Sequence, residues 1–580
     1  MAARQAGRRI APGKVRLALF GSILLLAWLG MGYRLFQVQV VQAADLRQRG
    51  LSQRLVERPL PAARGRIYDR NGDLLAMAVE AETIYAVPGL VTEPMYVAQQ
   101  VGGLVGADPD QLLARLQSNK DFVYLKRQVD LDVAARVKAM NLAGVLFEPE
   151  TTRDYPAGPV ASQVVGFVDI DGNGLEGLEL QYDDLLKGVP GSQIFEKSPS
   201  GTPIPQGRQE EVPAVPGQDL ITTIDLPLQY TTQDACAKAM DKTSAKDCWA
   251  VVLEVETGNV LAMAGTPPFD PVTHLTTDGQ PFSNAVVREP YEPGSIEKLI
   301  TVSAAIQEGV VDVGTVFSNV ADQIELRPGA CKSDTDQVYG CYSDFDEHPT
   351  EDMTVRDIFT ASSNVGVIRI AQRLPEGKLV DYIKRFGLTQ PTGIDYSAET
   401  SGLLNMPAGC TICPLSASIG YSIAASPLQM AAAFAAVGND GTWIQPRLVS
   451  STVDVDGNQT NHTQKTRQVI SPETARVMRE LLAGVVESGT GGHAAVDGYR
   501  VGGKTGTANK LGADGTYTNL TRASFVGMAP IDDPKLVVAV MVDEPSYQYR
   551  TGGLAAAPVF AQIMEQALHR LGVTPDGLDG

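Results

Sequence analysis

A chain of 580 residues is long enough for two or three domains. Its content of 44% hydrophobic and 20% charged residues is that of folded globular proteins and excludes extended disorder. The net charge of -19 at pH 7 argues against nucleic acid as a partner, because phosphate binding requires a basic surface.

The first element is an apolar segment behind a basic head. Leu17–Tyr33 carries no charged residue, and Leu35 and Phe36 extend it past Arg34. A membrane span needs ~20 mostly apolar residues, so a transmembrane helix is predicted over 17–37. Basic residues before a span predict a cytoplasmic N-terminal tail, 1–16, with the rest of the chain outside. The basic residues are Arg4, Arg8, Arg9, Lys14 and Arg16.

A cleaved signal peptide is the alternative for this segment. Val41-Gln42-Ala43 does resemble a small-residue cleavage site. However, the apolar segment is longer than the usual ~7–15 residues of a signal peptide, and the candidate site lies well beyond its end. An uncleaved anchor is therefore favoured.

The segment 38–215 has a mixed pattern and is predicted to be a separate domain that ends in Pro/Gly-rich linkers. Helical spacing and strand-like spacing alternate along it. The predicted helices are Asp110–Leu116 and Asp130–Met140, the predicted strands are Thr83–Val87 and Val160–Val168, and the predicted linkers are Ser198–Gln206 and Val212–Gln218.

The segment 216–580 predicts an α+β domain, in which an antiparallel sheet is covered by helices. Strands are predicted near both of its ends, with helices between them. The predicted strands are Asp219–Asp225, Cys248–Val255, Gly258–Ala264, Phe525–Met528 and Lys535–Val542, and the predicted helices include Leu226–Met240, Ser295–Ile306 and Ala555–Leu571.

Six cysteines fall into three sequence-local pairs, which predicts three disulfides in an oxidising compartment. The pairs are Cys236 with Cys248, Cys331 with Cys341, and Cys410 with Cys413. Cys410-Thr411-Ile412-Cys413 is also compatible with half of a zinc site, but no second pair lies at the required spacing. No metal site is predicted.

Ser295-Ile296-Glu297-Lys298 has the spacing of a nucleophile and its base. Residues three apart share one helical face, so Ser295 and Lys298 are neighbours. A serine hydroxyl is a weak nucleophile that needs an adjacent base. Lys298 can serve if burial and the helix N-terminus lower its pKa. A capping serine with a solvated lysine is the ordinary alternative for an isolated motif of this kind.

Ser362-Ser363-Asn364 and Lys504-Thr505-Gly506-Thr507 follow in order along the chain. Ser362 can relay a proton between Lys298 and a leaving group, and Asn364 can bind an amide of the substrate. Lys504, Thr505 and Thr507 can hold a carboxylate, while Gly506 lets an extended peptide approach the strand backbone. One acyl-transfer site needs all three motifs, so their conjunction is a strong indication.

The third motif overlaps a second pattern, since Gly498–Thr505 matches the phosphate-loop pattern GxxxxGK[ST]. That pattern needs a strand before it and a helix after it. The polar, glycine-rich residues on both sides make a nucleotide site the weaker interpretation.

With these motifs in place, the chain resembles the class B penicillin-binding proteins, membrane-anchored D,D-transpeptidases of peptidoglycan. Further segments resemble the non-catalytic pedestal of that family, namely Arg64–Gly72, Arg153–Gly158 and Gly174–Glu179, and Tyr124–Arg127 resembles its cell-division (FtsI-type) branch. The family often has Thr-Phe where this chain has Ile296-Glu297. An acid beside Lys298 could raise its pKa, so the effect of Glu297 is an open question.

The resemblance implies a two-step acyl transfer without metal or organic cofactor. Ser295 would attack the D-Ala-D-Ala carbonyl of a stem peptide, with Lys298 as base and the backbone N–H groups of Ser295 and Thr507 as oxyanion hole. β-Lactam antibiotics would acylate Ser295. The implied partners are a SEDS-type glycan polymerase and other divisome membrane proteins, at the cell membrane.

Other functions remain open from the sequence. The chemistry is shared by D,D-carboxypeptidases and β-lactamases, which transfer the acyl group to water, and by elongation-type transpeptidases. A β-lactam sensor receptor would need a larger cytoplasmic part than the ~16 residues expected here. A non-enzymatic division scaffold is the remaining class.

Overall fold

The computed structural model of the protein describes residues 12–196, 204, 206–207, 209–265, 267–273, 282–332, 340–512 and 516–576. The basic residues Arg4, Arg8 and Arg9 and most of the predicted linker Ser198–Gln206 lie outside these ranges.

The helices occur along the whole described chain. In chain order they are α1 (Pro12–Phe36), α2 (Ala43–Arg54), α3 (Pro94–Val105), α4 (Pro109–Leu116), α5 (Leu131–Ala139), α6 (Ser162–Val165), α7 (Gly177–Gln181), α8 (Asp183–Leu186), α9 (Leu226–Thr243), α10 (Ala285–Arg288), α11 (Lys298–Gln307), α12 (Val355–Thr360), α13 (Asn364–Ala371), α14 (Lys378–Phe386), α15 (Cys413–Ala417), α16 (Pro427–Gly438), α17 (Pro472–Glu487), α18 (Gly552–Ala555) and α19 (Ala557–Arg570).

The strands are β1 (Leu55–Leu60), β2 (Ile67–Tyr68), β3 (Leu74–Ala86), β4 (Val123–Asp130), β5 (Val145–Asp154), β6 (Gly191–Glu196), β7 (Gln209–Val212), β8 (Asp219–Thr222), β9 (Asp247–Glu254), β10 (Val260–Ala264), β11 (Val316–Val320), β12 (Gln323–Glu325), β13 (Cys341–Ser343), β14 (Glu351–Thr354), β15 (Leu403–Leu404), β16 (Ile423–Ala424), β17 (Thr442–Ile444), β18 (Val449–Val453), β19 (Gln459–Asn461), β20 (Thr466–Gln468), β21 (Gly502–Leu511), β22 (Tyr517–Ala529) and β23 (Leu536–Asp543).

Several helices begin where a capping side chain is followed directly by a residue suited to the first turn. The side chains of Asp225 and Ser471 accept backbone N–H groups at the starts of α9 and α17, and each is followed within two residues by proline. Ser426 forms a reciprocal capping box with Gln429 at the start of α16. These contacts satisfy N–H groups that have no partner inside the helix.

The chain forms two compact units. One contains the chain up to Ala62 together with Val189–Val215, and the other contains Ala63–Gly188 together with the chain from Pro216 onwards. This division differs from the predicted boundary at 215, because most of the predicted pedestal falls into the same unit as 216–580.

The first unit contains α1, α2 and the antiparallel sheet β1-β6-β7. Gly13–Val41 is long and apolar enough to cross a membrane, and none of its hydrophobic window is buried within the protein. The prediction of an apolar helix over 17–37 is therefore confirmed, with the helical conformation continuing as a π-helical turn over Gln37–Val41.

The second unit contains an antiparallel five-stranded sheet in the order β10-β9-β23-β22-β21. Successive residues of its strands pack into different clusters. Ala250 and Val252 belong to a cluster with α9 and α19, whereas Val251 and Leu253 belong to a larger cluster with α11, α16 and α17. The prediction of an α+β fold with an antiparallel sheet covered by helices is confirmed.

A second large sheet of this unit has the strand order β19-β18-β8-β2-β3-β4, with β5 paired to β3. Helices α3, α4 and α5 pack on β3 and β4 around Ile84, Val101 and Leu125. Strands β2 and β8 are parallel neighbours, with Ile67 opposite Leu220. Segments from both sides of the predicted boundary therefore share one sheet, which is the physical reason that they form one compact unit.

The predicted strand Val160–Val168 is wrong. Ser162–Val165 forms the short helix α6, which is bounded by Ala161 and Gly166 with φ of +63° and +79°. All four residues of the helix are buried. The apolar run indicated burial, which a short helix satisfies as well as a strand. The other predicted strands and helices are confirmed, and most of their ends agree to within a few residues. Two strands begin earlier than predicted, since β3 starts at Leu74 and β22 at Tyr517.

Three segments that resemble family motifs meet in a buried ionic cluster. Arg64 Nε donates to Glu179 Oε2 at 2.6 Å, and Arg153 Nε donates to Glu179 Oε1 at 2.7 Å. Arg153 also donates to the carbonyl of Gly65 at 2.8 Å. The Glu179 side chain is completely buried and the two arginines nearly so. The cluster ties Arg64 to a residue 115 positions further along the chain, and Arg153 to one 26 positions further.

The predicted disulfides are all present, joining Cys236 to Cys248, Cys331 to Cys341 and Cys410 to Cys413. The bond between Cys410 and Cys413 replaces the half zinc site that their spacing also allowed.

Candidate active site

Ser295 lies at the start of the helix that also carries Lys298. Gly294–Ile296 forms one 3₁₀ turn, and α11 follows from Lys298. Gly294 has a φ of +55° and donates its N–H to the carbonyl of Gly420 at 3.3 Å. A positive φ is readily adopted by glycine, which explains the residue before Ser295.

Ser295 lines a cavity of about 1020 Å³. Of the other predicted site residues, Ser362, Asn364, Thr505 and Thr507 also line it. Lys298 and Lys504 lie behind this surface and are completely buried. The structure therefore brings the three sequence motifs to one place, although more than two hundred residues separate the first from the last.

The two buried lysines meet at Ser362. Lys298 Nζ lies 2.5 Å from the Ser362 carbonyl oxygen and 3.3 Å from Ser362 Oγ. Lys504 Nζ lies 2.8 Å from the same Oγ. Ser362 has a φ of +61°, which is uncommon for a residue other than glycine. This conformation places its hydroxyl and its carbonyl within reach of the lysines.

Burial controls the charge of both lysines. Desolvation lowers the pKa of Lys298 to about 7, although the carboxylate of Asp344, and that of Glu297 when it is ionised, act in the opposite direction. Desolvation, together with the positive charge of Lys298, lowers the pKa of Lys504 well below its ordinary value. Two ammonium groups that share one hydroxyl repel each other, so the two lysines titrate as a coupled pair.

A loop that the sequence did not single out holds the start of α13. Asp344 Oδ1 accepts the backbone N–H groups of Asn364 and Val365, the latter at 2.9 Å. Asn364 Nδ2 donates to the carbonyl of Ser343 at 2.7 Å. Asp344 Oδ2 lies 3.0 Å from His348 Nε2. Asp344 and His348 also line the cavity.

The surroundings of His348 favour its charged form. Its Nε2 faces the Asp344 carboxylate, and its Nδ1 faces the carbonyl of Pro349 at 2.9 Å. Because both neighbours are acceptors, the ring satisfies both only when each nitrogen carries a proton. The hydrogen bond to Asp344 accordingly raises the pKa of His348. A short loop without regular periodicity offered no sequence signal for either residue.

Strand β21 carries Lys504–Thr507 along the edge of the five-stranded sheet. Thr505 Oγ1 lies 2.7 Å from Thr490 Oγ1, and Thr507 Oγ1 accepts the N–H of Gly552 at 3.2 Å. Because the chain continues as a strand to Leu511, the helix that a phosphate loop needs after its lysine is replaced by β-structure. The nucleotide-site alternative is wrong.

Close packing explains why residue 506 is a glycine, and the sequence did not reveal this packing. A Cβ on this residue would lie 2.4 Å from Ser524 Oγ, 2.7 Å from Ile296 Cγ1 and 2.9 Å from the carbonyl oxygen of Pro293. These atoms belong to β22 and to the turn that carries Ser295. Glycine is therefore needed for β21 to pack against that turn.

Comparisons with known proteins agree with this geometry. The family model "Penicillin binding protein transpeptidase domain" matches residues 248–565, and "Penicillin-binding Protein dimerisation domain" matches residues 59–222. Penicillin-binding protein PbpB of Mycolicibacterium smegmatis is 34% identical over 96% of this chain and 91% of its own. Peptidoglycan D,D-transpeptidase FtsI of Escherichia coli is 31% identical over 97% of this chain and 93% of its own.

Solved structures are similar as well. The crystal structure of penicillin-binding protein 3 from Mycobacterium tuberculosis, complexed with aztreonam, has a TM-score of 0.69 and 29% identity. It covers 89% of this chain and 98% of that chain. With two matching family models and relatives that align over nearly the whole length, the chain belongs to the penicillin-binding protein transpeptidase family.

Proposed function

We propose that this protein is a peptidoglycan D,D-transpeptidase that cross-links stem peptides through a serine acyl-enzyme, in septal wall synthesis. The observation that carries the proposal is the meeting of Lys298 and Lys504 at Ser362, in the wall of the cavity that Ser295 lines. The name of the relative from Escherichia coli, a peptidoglycan D,D-transpeptidase, supports the reaction class. The resemblance of Tyr124–Arg127 to the cell-division branch supports the role in septal wall synthesis.

The first step is acylation of Ser295. Its Oγ attacks the carbonyl between the two terminal D-Ala residues, while Lys298, which is neutral above about pH 7, takes the hydroxyl proton. The Ser362 hydroxyl can donate to neutral Lys298 while it accepts a hydrogen bond from Lys504. It therefore offers a route by which the proton reaches the leaving amine as the C–N bond breaks.

The developing negative charge needs donors on the carbonyl oxygen. We assign this role to the backbone N–H groups of Ser295 and Thr507, as in the family. The close packing of Gly506 against Pro293 and Ile296 supports the assignment, because it fixes the distance between β21 and the serine turn.

The donor peptide is held along β21. This strand is at the edge of its sheet, so an extended peptide can add to it through backbone hydrogen bonds. Lys504, Thr505 and Thr507 would bind the terminal carboxylate. The Asn364 carboxamide donates to Ser343, which leaves its oxygen to accept a substrate amide.

In the second step an amine from a neighbouring stem peptide attacks the acyl-enzyme. Transfer to water instead would make the protein a D,D-carboxypeptidase or a β-lactamase. β-Lactams are proposed to acylate the same serine and to remain attached, a role supported by the aztreonam and ampicillin complexes of the related structure.

The apolar helix α1 is proposed as a single-pass anchor with residues 1–16 in the cytoplasm and the enzyme outside. We further propose the functional division into an anchor over 17–37, a pedestal over 38–215 and a transpeptidase domain over 216–580. The proposed membrane partners are a SEDS-type glycan polymerase and other divisome proteins. Small residues on the anchor, among them Gly30 and Gly32, support close approach of a partner helix.

The test uses the full chain in membranes or detergent. Fluorescent penicillin should label the wild-type protein, and Ser295→Ala should abolish labelling, with Ser303→Ala on the same helix as the labelled control. Incubation with a stem-peptide donor and an amine acceptor should give the cross-linked product. Labelling of a folded Ser295→Ala variant would refute the assignment, and release of D-Ala without any cross-linked product would favour the hydrolytic alternative.

A further inference from the structure

Glu297 lies between Ser295 and Lys298 in sequence, and its side chain is completely buried. One carboxyl oxygen, Oε2, lies 2.9 Å from Thr301 Oγ1. The other, Oε1, has no hydrogen-bond partner among the described residues. A carboxylate in such a place would be a buried charge with a single hydrogen bond.

The hydrogen bonds of the Thr301 hydroxyl distinguish an ionised Glu297 from a protonated one. Thr301 Oγ1 also lies 3.1 Å from the carbonyl oxygen of Ser418, and Thr301 and Ser418 are both completely buried. A threonine hydroxyl has a single hydrogen. If Glu297 is ionised, that hydrogen is shared between two acceptors and one of them remains unpaired.

A protonated Glu297 removes this conflict. The acid then donates from Oε2 to Thr301 Oγ1, and Thr301 donates to the Ser418 carbonyl. Each link of the chain has one donor and one acceptor. Oε1 becomes a neutral carbonyl oxygen, for which a missing hydrogen bond costs less than it does for a charged carboxylate.

Among the described residues, no ion pair compensates the negative charge that an ionised Glu297 would carry. Lys298, the next residue, directs its ammonium nitrogen to Ser362, and none of the ion pairs formed by the described residues includes Glu297. Burial raises the pKa of Glu297 well above its ordinary value, against the hydrogen bond from Thr301 and the charge of Lys298.

We propose that Glu297 is a neutral carboxylic acid that positions the turn carrying Ser295 through the chain Glu297–Thr301–Ser418. The segment that receives this chain continues into Ile419 and Tyr421, which line the cavity. Gly294 N–H is bonded to Gly420 in the same segment. The serine turn is therefore joined to this wall of the cavity on both sides of Ser295.

The neutral form also answers the question that the sequence raised. An acid next to Lys298 would raise the pKa of the lysine only if it carried a charge. A protonated Glu297 leaves the pKa of Lys298 low, so the base is neutral at physiological pH. This inference rests on the proposed role of Lys298 as base, and its first test uses the acylation reaction.

The first test is the pH dependence of acylation by fluorescent penicillin. Glu297→Gln can still donate to Thr301, so the midpoint of its pH–rate profile should equal that of the wild type. Glu297→Ala and Thr301→Val should lower the rate constant by about tenfold at an unchanged midpoint, because the turn loses its support. Thr301→Ser should restore the rate. A midpoint for Glu297→Gln at least a full unit below the wild type would overturn the proposal, since it would mean that a negative charge had been removed.

The second test does not depend on activity. The infrared difference spectrum between unreacted wild type and Glu297→Gln at neutral pH should contain the C=O stretch of a protonated carboxylic acid. A carboxylate band in its place would overturn the proposal. If the wild type were not acylated at all, the proposed function would fail, whereas the infrared spectrum would still determine the state of Glu297.

Discussion

At the scale of single residues, the site contains two buried lysines. Burial disfavours the state in which both are protonated. A lysine in water is protonated at neutral pH and cannot act as a base. Here the completely buried Lys298 and Lys504 share one hydroxyl, so protonating either disfavours protonating the other. The proposed activation of Ser295 therefore depends on the position of Lys298 inside the protein.

The pH dependence of acylation follows from this arrangement. The pKa of Lys298 is lowered to about 7, so the neutral base is scarce below that pH and predominates above it. We expect the acylation rate constant to rise by about tenfold per pH unit below the midpoint and to level off above it. Stopped-flow measurement with fluorescent penicillin would show this profile. Lys298→Ala should lose acylation nearly completely, and a variant that kept the wild-type profile would show that another base serves.

The sequence identifies the residues whose spacing is local, and it misses those that only the fold brings together. Ser295 with Lys298, and Ser362 with Asn364, are close along the chain, so their motifs are visible without a structure. Asp344 reaches Asn364 across twenty residues of chain that include β14 and α12, and nothing in its neighbours predicts that contact. The buried state of Glu297 is likewise a property of tertiary packing.

At the scale of elements, the hairpin of β12 and β13 connects a disulfide to the site. Cys341 is the first residue of β13, and Ser343, its last residue, accepts a hydrogen bond from Asn364. Cys331 is bonded to Cys341. The disulfide therefore restrains the strand that leads directly into the Asn364 contacts.

Removal of the Cys331–Cys341 bond should lower the acylation rate constant, with a smaller effect on the free energy of unfolding than removal of the Cys236–Cys248 bond. We expect the double variant Cys331→Ser/Cys341→Ser to be acylated several-fold more slowly, because Ser343 and Asp344 are less well held. The matched control is Cys236→Ser/Cys248→Ser, which breaks a buried link between α9 and β9. That variant should lose about 2–4 kcal/mol of unfolding free energy while its folded fraction is acylated normally. Equal acylation rates in the two variants would show that the Cys331–Cys341 bond does not restrain the residues of the site.

The elements also show where sequence patterns are ambiguous. The long helix α9 is predicted correctly because its apolar residues recur with helical spacing. Strands β9, β10 and β23 of the five-stranded sheet are predicted from short continuous apolar runs, because both of their faces are buried. The apolar run at 160–168 is the exception. Residues 161–168 are all buried, so hydrophobicity does not distinguish a helical turn from a strand, and the positive φ of Ala161 is invisible in the sequence.

At the scale of the whole molecule, the ionic cluster of Arg64, Arg153 and Glu179 holds distant segments of the second unit together. We expect Glu179→Gln to lower the free energy of unfolding by about 3–5 kcal/mol, since it leaves the buried Arg153 guanidinium without its counter-charge and Arg64 with Asp183 alone. Thermal or denaturant unfolding would measure the loss. Glu473→Gln breaks an exposed pair with Arg476 and should leave stability unchanged. Similar effects in both variants would contradict the role of burial.

The proposed anchor interface can be tested separately from the enzyme. A Cβ at Gly30 or Gly32 would meet nothing within 4 Å in the chain itself, so larger side chains should not disturb this protein's own fold. We expect Gly30→Leu/Gly32→Leu to reduce co-purification of the glycan polymerase from membranes while Ser295 is acylated normally. Leu24→Ile on the same helix is the control. Recovery of the polymerase at wild-type yield would exclude this interface.

The shared sheet has a consequence for dividing the protein. Strand β8 lies between β18 and β2, and β2 precedes it by about 150 residues of chain. A fragment that began at residue 216 would keep β18 but lose β2, and β8 would become a bare edge with unpaired backbone groups. Such an edge recruits strands from other molecules. Truncation to the catalytic half should therefore give a product that self-associates and precipitates, whereas removal of residues 1–42 keeps every described strand pairing and should leave the protein dispersed in solution.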